Sequence, residues 1–226
     1  MTPLSLLLKE KDEKYKVFSE KIVSDTKYPV IGVRVPKIRE IAKSLTIIGD
    51  TPILPLSYTC YEECLLYGLI IAGAKIPFDE KTELFNKYLP FVDSWGITDS
   101  VAAAFKDVYN NREKAIDFIY SLLKSPYTYS RRFGVVLLTL YFTGEHFKAE
   151  HVENVLSLKD GEYYIDMAIA WYISVLLVKN REYAVDLIKR QILPTFIHNK
   201  AIQKATESFR ISVEDKKYLK QLKRKA

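Results

Sequence analysis

A chain of 226 residues fits one large domain, two small ones, or a solenoid of short helical units, and length alone does not choose among them. Hydrophobic residues at 48% and charged residues at 27% exclude a disordered chain, while 8 glycines are too few for the tight turns of an all-β fold. The formal charge of +6 is concentrated: Thr195 to Ala226 holds nine basic and three acidic residues, and the rest balances at 25 of each.

That asymmetry biases any attraction to a polyanion towards the C-terminal end, although the plainer reading is a solvated, fraying last helix. No run of about 18 apolar residues occurs, and Met1 to Lys9 lacks a charged n-region and a small-residue cleavage site, so a cytoplasmic chain with no membrane segment is expected. Cys60 and Cys64 cannot complete a four-ligand zinc site by themselves and read as buried thiols in a reducing compartment. His146, His151 and His198 have no partner spacing that assigns a role and read as surface residues.

In chain order, Leu4, Leu7, Leu8, Tyr15, Phe18 and Ile22 recur at three- and four-residue steps, which predicts an amphipathic helix broken once. Pro36 opens a helix carried on by Ile38, Ile41, Ala42 and Leu45. Thr46 to Ser57, with Gly49, Asp50, Pro52 and Pro55, is a loop. Tyr58 to Lys75 is apolar almost all round apart from Glu62 and Glu63, as a helix between neighbours would be. Further helices are predicted over 79–89, 94–108, 112–124, 127–142, 148–157, 162–178, 182–191, 195–209 and 212–224, separated by Pro77, Pro90, Pro126, Gly144, Gly161 and Pro194.

Three of these helices overlay: Thr98-Asp-Ser-Val-Ala-Ala-Ala-Phe, Arg131-Arg-Phe-Gly-Val-Val-Leu-Leu and Asp166-Met-Ala-Ile-Ala-Trp-Tyr-Ile. Asp99 to Arg132 is 33 residues and Arg132 to Met167 is 35, one helical pair per unit. The expected fold is therefore all-α, a right-handed solenoid of antiparallel, HEAT-like helix pairs over 1–226, with basic C-terminal helices over 195–226.

In such a stack, residues repeated once per unit fall on a concave surface. Trp95 and Asp99 share a face near the start of one helix, with Asp93 or Ser94 available as N-cap. Arg131 and Arg132 open a later inner helix, and Trp171 lies in another. Each has a structural reading when taken alone: core tryptophan, first-turn aspartate, ion-paired arginine. Together they put aromatic faces, an anion and a phosphate-sized donor on one wall, an inventory suited to nucleic acid.

Over about Lys27 to Phe209 the chain resembles the HEAT-like repeat alkylpurine DNA glycosylases of the AlkD type. The resemblance rests on Gly32-Val-Arg-Val-Pro36, Trp95-Gly-Ile-Thr-Asp99, Arg132 before Phe-Gly-Val-Val-Leu-Leu, and Ala168-Ile-Ala-Trp171. It implies a C-shaped solenoid that binds duplex DNA in its cleft and removes N3- or N7-alkylated purines, as a monomer, with no cofactor and no metal. It further implies that Asp99 stabilises the sugar cation and orients water, that Trp95 and Trp171 pack on the deoxyribose, and that Arg132 holds backbone phosphate. Arg131, Lys200 and Lys204 are candidate DNA contacts beside Arg132.

Two departures stand out. Gly96 and Met167 occupy places where active members commonly carry a charged residue, Asp and Lys respectively. The segment between Pro36 and Glu62 is shorter than in those enzymes, and the loop 46–57 lies where they have a helix that probes the minor groove. Three readings follow: active glycosylase, non-catalytic DNA-binding paralogue, and protein-binding helical scaffold.

Overall fold

The computed structural model describes residues 2–46, 51–158 and 161–225. Gly49 and Asp50 of the predicted loop lie outside the described residues. Among the described residues there are thirteen α-helices and no strand. Packing groups the chain into two compact units, residues 1–118 and 119–226.

The first unit holds α1 (Pro3–Leu8), α2 (Glu13–Ile22), α3 (Val35–Leu45), α4 (Tyr61–Gly73), α5 (Phe78–Tyr88) and α6 (Trp95–Ala104). The break between α1 and α2 falls where Asp12 becomes an N-cap, its carboxylate accepting from the Tyr15 amide at 2.9 Å. α4 packs between α3 and α6, with α1 and α5 also against it. Having neighbours on both sides explains why its sequence is apolar on nearly every face, with Cys64, Leu65, Leu66 and Ile71 fully buried. It starts three residues later than predicted, because Tyr58 to Cys60 stay out of the helix and the Thr59 amide donates instead to Glu63 Oε2 at 2.6 Å. α6 stops at Ala104, short of the predicted Val108. Phe105 turns into the core and stacks on Phe78 at 5.5 Å, and a 3-10 turn, Lys106–Tyr109, follows it.

α7 (Arg112–Leu123) carries residues of both units. The second unit continues with α8 (Thr128–Tyr141), α9 (Ala149–Leu156), α10 (Tyr163–Lys179), α11 (Arg181–Lys189), α12 (Thr195–Glu207) and α13 (Val213–Gln221). Here α10 is the central helix, flanked by α8 and α12 and paired with α11, and it too is apolar nearly all round. Both units thus repeat one plan: short connections force consecutive helices antiparallel, and an all-apolar helix is buried between two amphipathic ones.

The basic C-terminus is docked rather than frayed. His198 Nε2 lies 2.8 Å from the Leu222 carbonyl, the Asn199 amide group donates to the Arg224 carbonyl at 2.9 Å, and Arg224 Nη1 donates to the Leu193 carbonyl at 2.7 Å. Two histidines expected at the surface are core residues: His151 and His198 are each 1% exposed. One pairs with the Tyr120 hydroxyl and the other with the Leu222 carbonyl, partners distant in sequence, while His146 remains partly exposed.

Candidate active site

Trp95 opens α6, and the chain secures that end from several directions. Ser94 is the N-cap, its hydroxyl accepting from the Gly96 amide at 3.3 Å and donating to Asp25 Oδ1 at 3.0 Å. The other Asp25 oxygen accepts from the Trp95 amide at 2.8 Å, so a carboxylate sits at the positive end of the helix. The indole Nε1 donates to the Ile22 carbonyl at 3.3 Å. Asp93, the other expected cap, binds the Thr26 hydroxyl and the Lys27 amide, each at 2.7 Å. Segments 22–27 and 93–96 are thereby tied together, and the Trp95 ring is fixed while remaining partly exposed.

One turn later Asp99 is also partly exposed. The buried Thr98 hydroxyl lies 2.9 Å from the Trp95 carbonyl and 3.1 Å from Asp99 Oδ1, so a single proton is shared between the helix and the carboxylate. The glycine between them has a steric cause. A Cβ at Gly96 would stand 2.5 Å from the Tyr61 hydroxyl oxygen and 3.1 Å from Val23 Cγ1, so any larger residue there requires those side chains to shift.

In the second unit the arginines face the protein. Arg132 is 6% exposed, and its Nη1 donates to the Tyr164 carbonyl in the first turn of α10 at 2.7 Å. Arg131 Nη2 meets Glu162 Oε1 at 2.6 Å, and the Thr128 hydroxyl reaches Glu162 Oε2 at 2.5 Å. Those bonds, the Thr128 one foremost, hold the Glu162 carboxyl below its ordinary range. Trp171 is partly exposed and borders a cavity of about 300 Å³ shared with Lys179, Lys204, Glu207 and Arg210. Lys200 lies outside it, bonded to Gln203 Oε1 at 3.1 Å and 5.8 Å from the Phe196 ring centroid. The structure therefore joins Trp95 to Asp99, and Trp171 to Lys204, each within one unit.

Glu62 was visible in the sequence only as an exception in an apolar helix. It is 1% exposed and gathers three backbone amides, from Ile31 at 3.0 Å, Gly32 at 2.7 Å and Val33 at 3.2 Å. Gly32 has φ +83°, a left-handed turn that aims these amides at one carboxylate, and a Cβ there would stand 2.5 Å from the Asp12 carbonyl oxygen. The Gly32 to Pro36 motif is thus the anchor of α3 on α4. The only signal for it was the glycine.

Among the described residues no group of three or more His, Cys, Asp or Glu could hold a metal, and no helix is long and apolar enough to cross a membrane. Cys60 and Cys64 are free and buried, and burial pushes the Cys60 thiol up to about 11, far from the thiolate that reacts or ligates.

No curated protein matches the chain. A solved structure described as a predicted DNA alkylation repair enzyme from Enterococcus faecalis shares its fold, with a TM-score of 0.65 over 85% of this chain and 95% of the other at 15% identity. The family model described as DNA alkylation repair enzyme matches residues 5–205. A helical framework that repeats the same plan twice, with a fixed Trp-x-x-x-Asp turn, accords with that match over nearly the whole length, and the chain belongs to the DNA alkylation repair enzyme family.

Proposed function

We propose that this chain binds duplex DNA and hydrolyses the N-glycosidic bond of cationic N3- and N7-alkylpurines, with Asp99 as the catalytic carboxylate. The observation that carries the proposal is the fixed pair on α6: a partly exposed carboxylate one turn after an indole pinned to the Ile22 carbonyl. An alkylated purine already bears a positive charge. When its bond to C1′ breaks, the electron pair goes to the base, which leaves neutral and needs no general acid. The remaining demand is a developing cation on the sugar, which Asp99 and the face of Trp95 stabilise electrostatically. Water then adds to C1′ opposite the departing base and passes its proton to Asp99 or to solvent. The step uses only the chain, the DNA and water, and a monomer suffices for it.

Trp171 packs against the nucleotide chain, and Lys204, with Lys200, contacts phosphate. The two arginines serve differently. Arg132 sets the first turn of α10 through the Tyr164 carbonyl, and Arg131 braces the same edge through Glu162.

The segment after α3 favours a second reading. Among the described residues 46 and 51–60 no helix forms, and Ile53 and Leu56 are 90% and 95% exposed. The resemblance implies a helix in this segment and its described residues form none, which fits a paralogue that binds DNA weakly and excises nothing. One assay separates the two. Duplex DNA with N7-methylguanine, incubated with excess protein, releases free base under the first reading, and Asp99→Asn removes that release. Retained binding with no release establishes the second instead.

A further inference from the structure

The ends of three helices in the first unit meet at a cavity of about 400 Å³ that plays no part in the Trp95–Asp99 turn. Arg39 and Lys43 of α3 and Lys75, just past α4, line it together with Leu69, Gly73 and Ala104. All three cations are exposed. Elsewhere in this unit such groups meet carboxylates: Arg34 meets Asp12 at 2.8 Å, Lys37 meets Glu40 at 2.7 Å, and Lys114 meets Asp79 at 2.6 Å. Among the described residues no carboxylate lies within ion-pairing distance of Arg39, Lys43 or Lys75.

A plainer account is that the cations complement the negative ends of α3, α4 and α6. Each helix end carries a partial charge of only about half that of one cation, and its effect fades within a turn. The terminal carbonyls are also served by the backbone: the Ala74 amide donates to Ile70 at 2.9 Å, Thr46 to Ala42 at 3.1 Å and Phe105 to Val101 at 3.1 Å. The cations are not consumed as caps, and the cavity wall keeps a net positive charge. One phosphodiester carries one negative charge.

We infer that the cavity lined by Arg39, Lys43 and Lys75 is a binding site for a DNA backbone phosphodiester. The inference rests on the DNA-binding part of the function proposed above. It also fits α6, because Ala104 at the cavity is five residues beyond Asp99, about 7.5 Å along the helix axis. A positive site at the far end of the helix that carries Asp99 offsets the repulsion between that carboxylate and the DNA.

Gly73 supplies a direct probe. Among the described residues a Cβ on it meets only the Thr46 Oγ1, at 3.7 Å, so Gly73→Asp fits and places an anion where the phosphate would lie. Fluorescence anisotropy with an undamaged duplex, titrated with KCl, is the measurement. Gly73→Asp and the combined Arg39→Gln, Lys43→Gln, Lys75→Gln variant should each bind about tenfold more weakly at low salt. Each should also lower the slope of log K against log salt by about 0.9, the loss of one phosphate contact. The control neutralises three exposed lysines elsewhere: Lys87→Gln, Lys124→Gln and Lys148→Gln. Equal losses in control and test variants overturn the inference. If wild type binds no duplex, the proposed function falls first, and the cavity is then judged by NMR with a thymidine dinucleotide. Amide shifts at Thr46, Gly73 and Ala104 that vanish in Gly73→Asp support the site, and their absence overturns it.

Discussion

The two units treat their signature charges in opposite ways. In the first, Asp99 is held by its neighbour Thr98 and stays partly open to solvent, while the structural duties of that region fall on Asp25, Glu62 and Asp93. In the second, Arg132 itself takes the structural duty: it is 6% exposed and bonded to the Tyr164 carbonyl. Two residues one repeat apart thus differ in kind. Asp99 keeps part of its surface towards solvent, whereas Arg132 lies almost wholly inside the protein.

The largest expected effect tests the first half of that contrast. Asp99→Asn should lower base release from N7-methylguanine DNA by a factor of about 100 to 1,000, the usual cost of removing one transition-state electrostatic contact, with an unchanged thermal midpoint. Duplex affinity should hold or rise, since a negative charge facing DNA is gone. A fall in stability would mean that Asp99 is structural after all. Gly96→Asp comes next: it forces the Tyr61 hydroxyl and Val23 to shift, so a loss of about 1–3 kcal/mol by denaturant melting is expected.

Arg132→Ala should behave as the reverse of Asp99→Asn. It leaves the Tyr164 carbonyl without this donor in a buried setting, which costs about 1–3 kcal/mol. Any loss of DNA affinity should recover when the protein is assayed well below its new melting temperature. Affinity that stays low in a fully folded variant would return Arg132 to the phosphate.

How much of this could be read beforehand follows the range of the interactions. The helices were legible because their cause is local: a three- and four-residue apolar rhythm punctuated by Pro and Gly. The central helices α4 and α10 were legible too, since a helix apolar on every face has neighbours on every face. The α6 turn was legible because Trp95 and Asp99 are four residues apart. The bond of Arg132 to Tyr164 was not, because nothing in Arg131-Arg-Phe-Gly points to a carbonyl 32 residues away. The same holds for Glu62, whose amides lie about 30 residues upstream, and for His198, whose partner Leu222 closes the C-terminus.

His151 gives the smallest effect and a measurement without DNA. Its ring is 1% exposed, Nδ1 lies 2.8 Å from the Tyr120 hydroxyl, Nε2 is buried without a hydrogen-bond partner among the described residues, and the Phe142 ring centroid is 5.5 Å away. Burial, more than any nearby charge, pulls its pKa below the ordinary 6.5. The unfolded imidazole therefore takes up a proton as pH falls through about 6.5, while the folded one resists until lower pH. Over that window the unfolded state binds more protons, so the contribution to stability is complete above about pH 6.5 and declines below it, by at most about 1.4 kcal/mol per pH unit. Urea melts of wild type and His151→Phe between pH 7.5 and pH 5 measure the difference. The variant should lose less stability than wild type on acidification, and identical pH profiles would show that this buried ring is not what makes the second unit sensitive to acid.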